Sequence, residues 1–207
     1  MKRDNRITLA ITGASGAQYG LRLLQALIES DHQVYLLVSK AAQMVMKLEM
    51  DFDLPSHHKK AEALLMEMYQ AKPGQITLFG KDDWTSPVAS GSGAPKKMVV
   101  CPCSTGSLSA IATGACNNLI ERGADVALKE RHQLILVPRE TPLSEIHLQN
   151  MLTLTRAGAT ILPAMPGFYQ KPNSVEDMID FVVARILNAL EIDQDLLAPW
   201  GVSEEES

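Results

Sequence analysis

The stretch Ile7-Thr-Leu-Ala-Ile-Thr-Gly-Ala-Ser-Gly-Ala17 decides the fold. A short, nearly unbroken apolar run passes straight into a turn of glycines and a hydroxyl. Leu21, Leu24 and Ile28 then line one face at helical spacing. An apolar run of this length and continuity marks a strand covered on both faces. Val34–Val38, Met98–Cys101, Leu134–Val137 and Thr160–Leu162 repeat the pattern, giving five such runs. Near the end, Val175, Ile179, Val182 and Ile186 recur at helical spacing behind Asn173 or Ser174 as N-cap. Strands alternating with helices build βαβ units with right-handed crossovers. The sequence therefore predicts one α/β domain over residues 1–207, doubly wound about a mainly parallel sheet, of Rossmann or flavodoxin type.

Two segments break the rhythm. Residues 40–96 form a long connection between the second and third runs, holding helices, five of the ten methionines and the loop Pro87-Val-Ala-Ser-Gly-Ser-Gly-Ala-Pro95. A Met-rich face belongs to a core or a subunit contact more often than to a ligand site. The Gly/Ser loop reads as a linker or a functional lid. The tail Glu204-Glu-Glu-Ser207 reads as solvated.

Composition narrows the function classes. With 207 residues, 46% hydrophobic and 21% charged, the chain excludes wholesale disorder, collagen and coiled coil. A net charge of −5 argues against a nucleic-acid or anionic-membrane surface, though not against a local basic pocket. Cys101, Cys103 and Cys116 are too few and too clustered for a disulfide framework, and C-x-C is neither the redox nor the zinc spacing. They read as small buried hydrophobes in a reducing compartment. No apolar run approaches a membrane span, and the run after Met1-Lys-Arg-Asp4 ends too soon for a signal sequence. A cytoplasmic location is expected.

Ligands of open parallel sheets bind beyond the C-terminal ends of the strands. Those ends are followed by Thr12-Gly-Ala-Ser-Gly-Ala17, Ser39, Pro102-Cys-Ser-Thr-Gly-Ser107, Arg139-Glu-Thr-Pro142 and Pro163-Ala-Met-Pro-Gly-Phe-Tyr169. Every rim segment is made of Gly, Ser, Thr, Pro or charge, so one face is dressed for a polar ligand. Backbone N–H groups of a Gly-rich strand-to-helix turn approach a phosphate closely. Ser15 breaks the G-x-G-x-x-G fingerprint, and Ser39 stands where an acidic residue would hold a ribose. NAD is disfavoured and FMN stays open. Gly13-Ala-Ser15-Gly-Ala17 falls one glycine short of a serine-hydrolase elbow and follows the wrong strand. His57-His58 and Asp82-Asp83 lack the spacing of a zinc or magnesium site. No metal is expected. Cations would then do the metal's work: Arg122 and Lys129, seven apart on one helix face, Arg139 on a strand end, and Arg185 within the last apolar stripe. Arg185 is either a snorkelling rim residue or a buried partner for an anion.

Five blocks resemble the UbiX family of flavin prenyltransferases. They are Ile11-Thr-Gly-Ala-Ser-Gly-Ala17, Cys101 to Gly114, Asn118 to Arg131, Leu136-Val-Pro-Arg-Glu-Thr-Pro-Leu143 and Pro163-Ala-Met-Pro-Gly-Phe-Tyr169. The similarity spans about residues 6–190, and the Arg-Glu-Thr-Pro and Pro-Ala-Met-Pro-x-Phe-Tyr blocks are its specific part. The resemblance implies binding of reduced FMN and dimethylallyl monophosphate, and joining of the five-carbon unit to flavin N5 and C6. It implies delivery of prenylated FMN to a UbiD-type decarboxylase, metal independence, and a homo-oligomer, usually a dodecamer, whose sites neighbouring subunits complete.

By the same resemblance Gly13, Ala14, Ser15, Ser39, Ser104, Thr105, Gly106, Ser107 and Arg139 contact FMN. Tyr169 and Arg185 hold the prenyl phosphate, with Ser90, Arg122 and Lys129 completing the cage. Glu140 is the acid/base residue, Ser15 relays a proton to phosphate, Glu49 joins the same site, and Trp200 is either a core cap or an aromatic wall. Three other readings stand beside this one: an FMN-dependent decarboxylase of the cysteine-decarboxylase type, direct decarboxylation of an aromatic acid, and a non-catalytic flavin carrier. No His follows Ser39 until His57, where the decarboxylases carry a catalytic histidine.

Overall fold

The computed structural model describes residues 5–198; Trp200 and the Glu204–Ser207 tail lie outside them. The five runs become β1 (Arg6–Ile11), β2 (Gln33–Val38), β4 (Lys97–Cys103), β5 (Gln133–Pro138) and β6 (Thr160–Ile161). A sixth strand, β3 (Ile76–Phe79), lies inside the segment expected to be one long connection. It has four residues, alternates buried with half-buried positions and pairs only with β2 at the sheet edge. An edge strand this short produces no continuous apolar run, which is why the hydrophobic pattern missed it.

All pairings are parallel, in the order β3-β2-β1-β4-β5-β6. This is the Rossmann order, and the strand direction of travel reverses between β1 and β4. Successive residues of the central strands serve opposite faces. Ile7, Leu9 and Ile11 join one core with α1 (Ala17–Glu29), α2 (Lys40–Met50), α3 (His58–Met68) and α7 (Val175–Ala189). Ala10, Val100 and Leu136 join the other with α4 (Thr105–Ala112), α5 (Leu119–Lys129) and α6 (Glu145–Arg156). Burial on both faces explains why these strands read as unbroken apolar runs.

Local chemistry sets the helix limits. Ser174 caps α7 by accepting the Asp177 N–H at 3.0 Å, and Asp177 returns the bond to the Ser174 N–H, so the cap is Ser174 rather than Asn173. Val175 is exposed even though it falls on the apolar repeat, because the first helical residue lies beyond the sheet. Helix α1 packs on β4 where Gly20 lacks a side chain; a Cβ there would run into the Cys101 carbonyl. Arg22 of α1 grips Asp180 of α7 through Nε at 2.6 Å and Nη2 at 3.3 Å. The methionines of the 40–96 segment divide: Met46 is core, while Met44, Met50 and Met68 are exposed. Among the described residues no helix is long and apolar enough to cross a membrane.

His32 sits half-buried in the turn after α1, its Nδ1 enclosed without a hydrogen-bond partner. Burial, and then the nearby Lys97 charge, hold its pKa below the ordinary value. The unfolded chain therefore binds the extra proton first, and folding stability falls as pH drops through the ordinary histidine range. Urea midpoints at about pH 7.5 and about pH 5.5 check this. The wild-type drop should exceed that of His32→Gln, and identical drops would remove His32 from the account.

Candidate active site

The polar face lies at the C-terminal ends of β1, β2, β4 and β5, and a single hydroxyl ties its centre. The Thr12 hydroxyl, fully buried just past β1, donates to the Pro102 carbonyl at 2.8 Å and accepts the Ser104 N–H at 2.7 Å. The Thr12 N–H also donates to the Pro102 carbonyl, at 3.2 Å, and the Ser39 N–H donates to the Ile11 carbonyl at 3.0 Å. The turns after β1, β2 and β4 are thereby fixed against one another.

Each turn opens a helix. Ser39 caps α2, accepting the Ala42 N–H at 3.0 Å; Ser104 caps α4, accepting the Ser107 N–H at 3.2 Å and donating to the Ser107 hydroxyl at 3.1 Å. Gly16 begins α1 in the left-handed region with φ +97°, where a side chain would also meet the Tyr19 ring. A Cβ on Gly13 would lie 2.5 Å from the Ala41 Cβ, so only glycine lets the first turn rest on α2. Beside Gly106, by contrast, nothing lies within 4 Å of a Cβ position. The first turn of α4 faces open space there; the Ser107 and Leu108 N–H groups are taken by Ser104, which leaves those of Thr105 and Gly106 to meet an anion. The residues present thus fit a flavin phosphate or a comparable group: close backbone approach, serine hydroxyls and helix N-termini on one rim.

Charged groups ring this floor. Glu49, exposed near the end of α2, accepts the Gly16 N–H through Oε2 at 2.9 Å. Arg139 donates from Nε to the Ser15 carbonyl at 3.1 Å, and the Glu140 carboxylate accepts the Thr141 N–H at 3.0 Å. Tyr19, half-buried in the first turn of α1, has its phenol pKa pushed up by burial, then by the Cys101 thiol, with Arg139 opposing. Gly13, Ala14, Ser15, Ser39, Glu49, Ser104, Thr105, Gly106, Ser107, Arg139 and Glu140 therefore share one rim. A cavity of about 220 Å³ adjoins it, bounded by Ser39, Lys40, Lys81, Ser107 and Asn118. Lys40, Lys81 and Asn118 escape a sequence reading because Lys81 follows the unrecognised strand β3 and Asn118 looks only like an N-cap.

The five residues expected to hold a prenyl phosphate do not come together in one chain. Ser90, Arg122 and Lys129 form one group along α5, where Arg122 Nε donates to the Ala89 carbonyl at 3.2 Å and Gly91 abuts Lys129. Tyr169 and Arg185 belong to the other sheet face. The Tyr169 ring meets Phe181 of α7 edge-on at 5.5 Å, and Arg185, one turn beyond, is exposed. Loop 87–95 starts as a 3-10 turn (Pro87–Ala89) with Val88 buried against Gly123 of α5. His57 stands at the N-cap of α3 and His58 is its first residue, both exposed. Among the described residues no three His, Cys, Asp or Glu side chains gather as metal ligands. The thiols of Cys101 and Cys103 are buried and pushed up in pKa by that burial, Cys103 to about 12, so they are packing groups.

Known proteins resemble this chain over most of its length. The Flavoprotein family model matches residues 1–187. The flavin prenyltransferase UbiX of Pseudomonas aeruginosa is 63% identical over 201 residues, 97% of this chain and 96% of that protein. The chain belongs to the UbiX flavin prenyltransferase family. It is accordingly an enzyme of the transferase class. Two solved UbiX-type structures overlay it closely. AnUbiX in complex with FMN and dimethylallyl pyrophosphate has 44% identity and a TM-score of 0.85, covering 98% of this chain and 100% of that one. A dodecameric FMN-dependent UbiX-like decarboxylase from Escherichia coli O157:H7 has 37% identity and a TM-score of 0.83, covering 95% and 100%.

The contact of the first turn with α2 is testable on its own. Gly13→Ala should cost about 1–3 kcal/mol of stability through overpacking and weaken FMN binding. Adding Ala41→Gly removes the opposing methyl and should restore both. Thermal melts and flavin titration check this; a double variant no better than Gly13→Ala would contradict the contact.

Proposed function

We propose that this UbiX-family enzyme transfers the dimethylallyl group of dimethylallyl monophosphate to N5 and C6 of reduced FMN, releasing phosphate and prenylated FMN. The observation that carries this reading is the single rim on which helix N-termini, Arg139, Glu49 and Glu140 meet. Its support from relatives is the AnUbiX complex, which holds both FMN and an allylic phosphate.

Reduced flavin, when bound, supplies the electron-rich N5 and C6. The chain's own residues do the rest. Gly13, Ala14, Ser39 and the Ser104–Ser107 turn bind and orient the flavin, and Arg139, anchored on Ser15, fixes its edge. Positioning of two reactants face to face supplies much of the rate. Breaking an allylic C–O bond leaves a delocalised cation and a phosphate anion, and guanidinium and ammonium donors stabilise that anion most where water is excluded. Tyr169 and Arg185 hold the phosphate, with Ser90, Arg122 and Lys129 reaching it from neighbouring subunits. Ser15 passes a proton to the departing phosphate. Glu140, with Glu49 beside the same turn, gives a proton to the prenyl C=C as that double bond opens to bond with C6, and takes back the proton that C6 loses. The same reading covers a homododecamer, a cytoplasmic location, no metal, and delivery of the product to a UbiD-type decarboxylase.

One anaerobic incubation of protein, reduced FMN and dimethylallyl monophosphate tests the reaction. Mass analysis of the released flavin should show the C₅H₈ increment. Unchanged flavin would favour a carrier, and CO₂ from an aromatic acid without a second enzyme would favour a decarboxylase. Glu140→Gln should keep flavin bound while turnover drops at least about 100-fold; full turnover would remove its role.

A further inference from the structure

Arg122 and Lys129 are each held by a carboxylate of their own neighbourhood. Arg122 Nη1 donates to Asp125 Oδ2 at 2.7 Å, and Lys129 Nζ is paired with Glu130. The first pair is partly shielded, with side-chain exposures of 34% and 35%, and the second is exposed, at 45% and 38%. The Gly/Ser loop crosses the same ground. Ala89 takes the Arg122 Nε–H at 3.2 Å, and Gly91, lacking a side chain, lies directly on the Glu130 carboxylate. The Lys129 ammonium is 3.1 Å from where a Gly91 Cβ would be. The loop thus sets Ala89 against Arg122 and Gly91 against Lys129, with Ser90 between two cations whose counter-ions are already in place.

We propose that Asp125 and Glu130 set how much negative charge the donor end can carry, making them specificity-determining residues that favour a monophosphate over a diphosphate. The proposal rests on the reading of Ser90, Arg122 and Lys129 as donor-phosphate ligands. A monoester phosphate shares the N–H groups of the two cations with the carboxylates. A diphosphate brings one further negative charge to two cations that already share theirs with Asp125 and Glu130, so the carboxylates repel it more than a monoester. Specificity is a difference of affinities, and a fixed like charge raises it by repelling the wrong ligand. AnUbiX holds a dimethylallyl pyrophosphate, so the fold itself accommodates the longer donor end. In this proposal discrimination comes from the charges around it.

The test compares dimethylallyl monophosphate and dimethylallyl diphosphate as donors, and phosphate and pyrophosphate as inhibitors, in the full enzyme with reduced FMN. Glu130→Gln and Asp125→Asn should each lower KM and the inhibition constant for the diphosphate series, relative to the monophosphate series, by about three- to fivefold. Glu130→Asp, which keeps the charge, should retain the wild-type ratio. Equal shifts for both series would overturn the proposal while leaving the donor-phosphate reading intact. Lys129→Ala separates the two: a rise in KM for both donors supports the underlying reading, and an unchanged KM for both removes that reading and the proposal with it.

Discussion

The Thr12 hydroxyl is the constraint on which the site depends. It stands where the sheet's strand order reverses, and it satisfies one carbonyl and one N–H of the neighbouring strand end. Without it the Ser104 N–H would go unpaired, at a cost of about 1–3 kcal/mol, and the Pro102 carbonyl would keep only the Thr12 N–H. More follows from its place than its energy. With the turns after β1 and β4 locked together, Gly13 can lie flat on α2, Arg139 can reach the Ser15 carbonyl, and the first turn of α4 is left facing open space.

Outside that rim the molecule divides its cations between two layers. Arg122 and Lys129 ride on α5 beneath one face of the sheet, and Arg185 rides on α7 over the other. The sheet keeps these groups apart within a chain. In the proposed reaction the flavin floor therefore belongs to one chain, while the phosphate cage is assembled between chains. An exposed Arg185, costly to bury alone, gains its anion only when that cage closes.

The central architecture was legible because its physics is local. Strands buried on both faces, such as β1 and β5, cannot avoid an unbroken apolar run, and Ser174 announces the start of α7 by its own hydrogen bond. The rim was legible for a related reason: in a parallel sheet, whatever follows each strand gathers at one end. Strand β3 was not legible, since an edge strand of four residues leaves only a faint alternation. Its loss hid Lys81, and hence the cavity beside Ser39. Nor could the sequence tell that Arg122 and Arg185 belong to opposite faces, because helical spacing gives a face of a helix and not the side of the sheet on which the helix packs. The family resemblance supplied the residue roles proposed above, and the structure shows which of those residues lie together in one chain.

The Thr12 bracket is most directly tested by measuring the FMN dissociation constant and the unfolding free energy of Thr12→Val and Thr12→Ser. Valine keeps the shape and removes the hydroxyl; serine keeps the hydroxyl. The account predicts that Thr12→Val loses about 1–3 kcal/mol of stability together with flavin affinity, and that Thr12→Ser recovers most of both. Wild-type flavin affinity in Thr12→Val would contradict it.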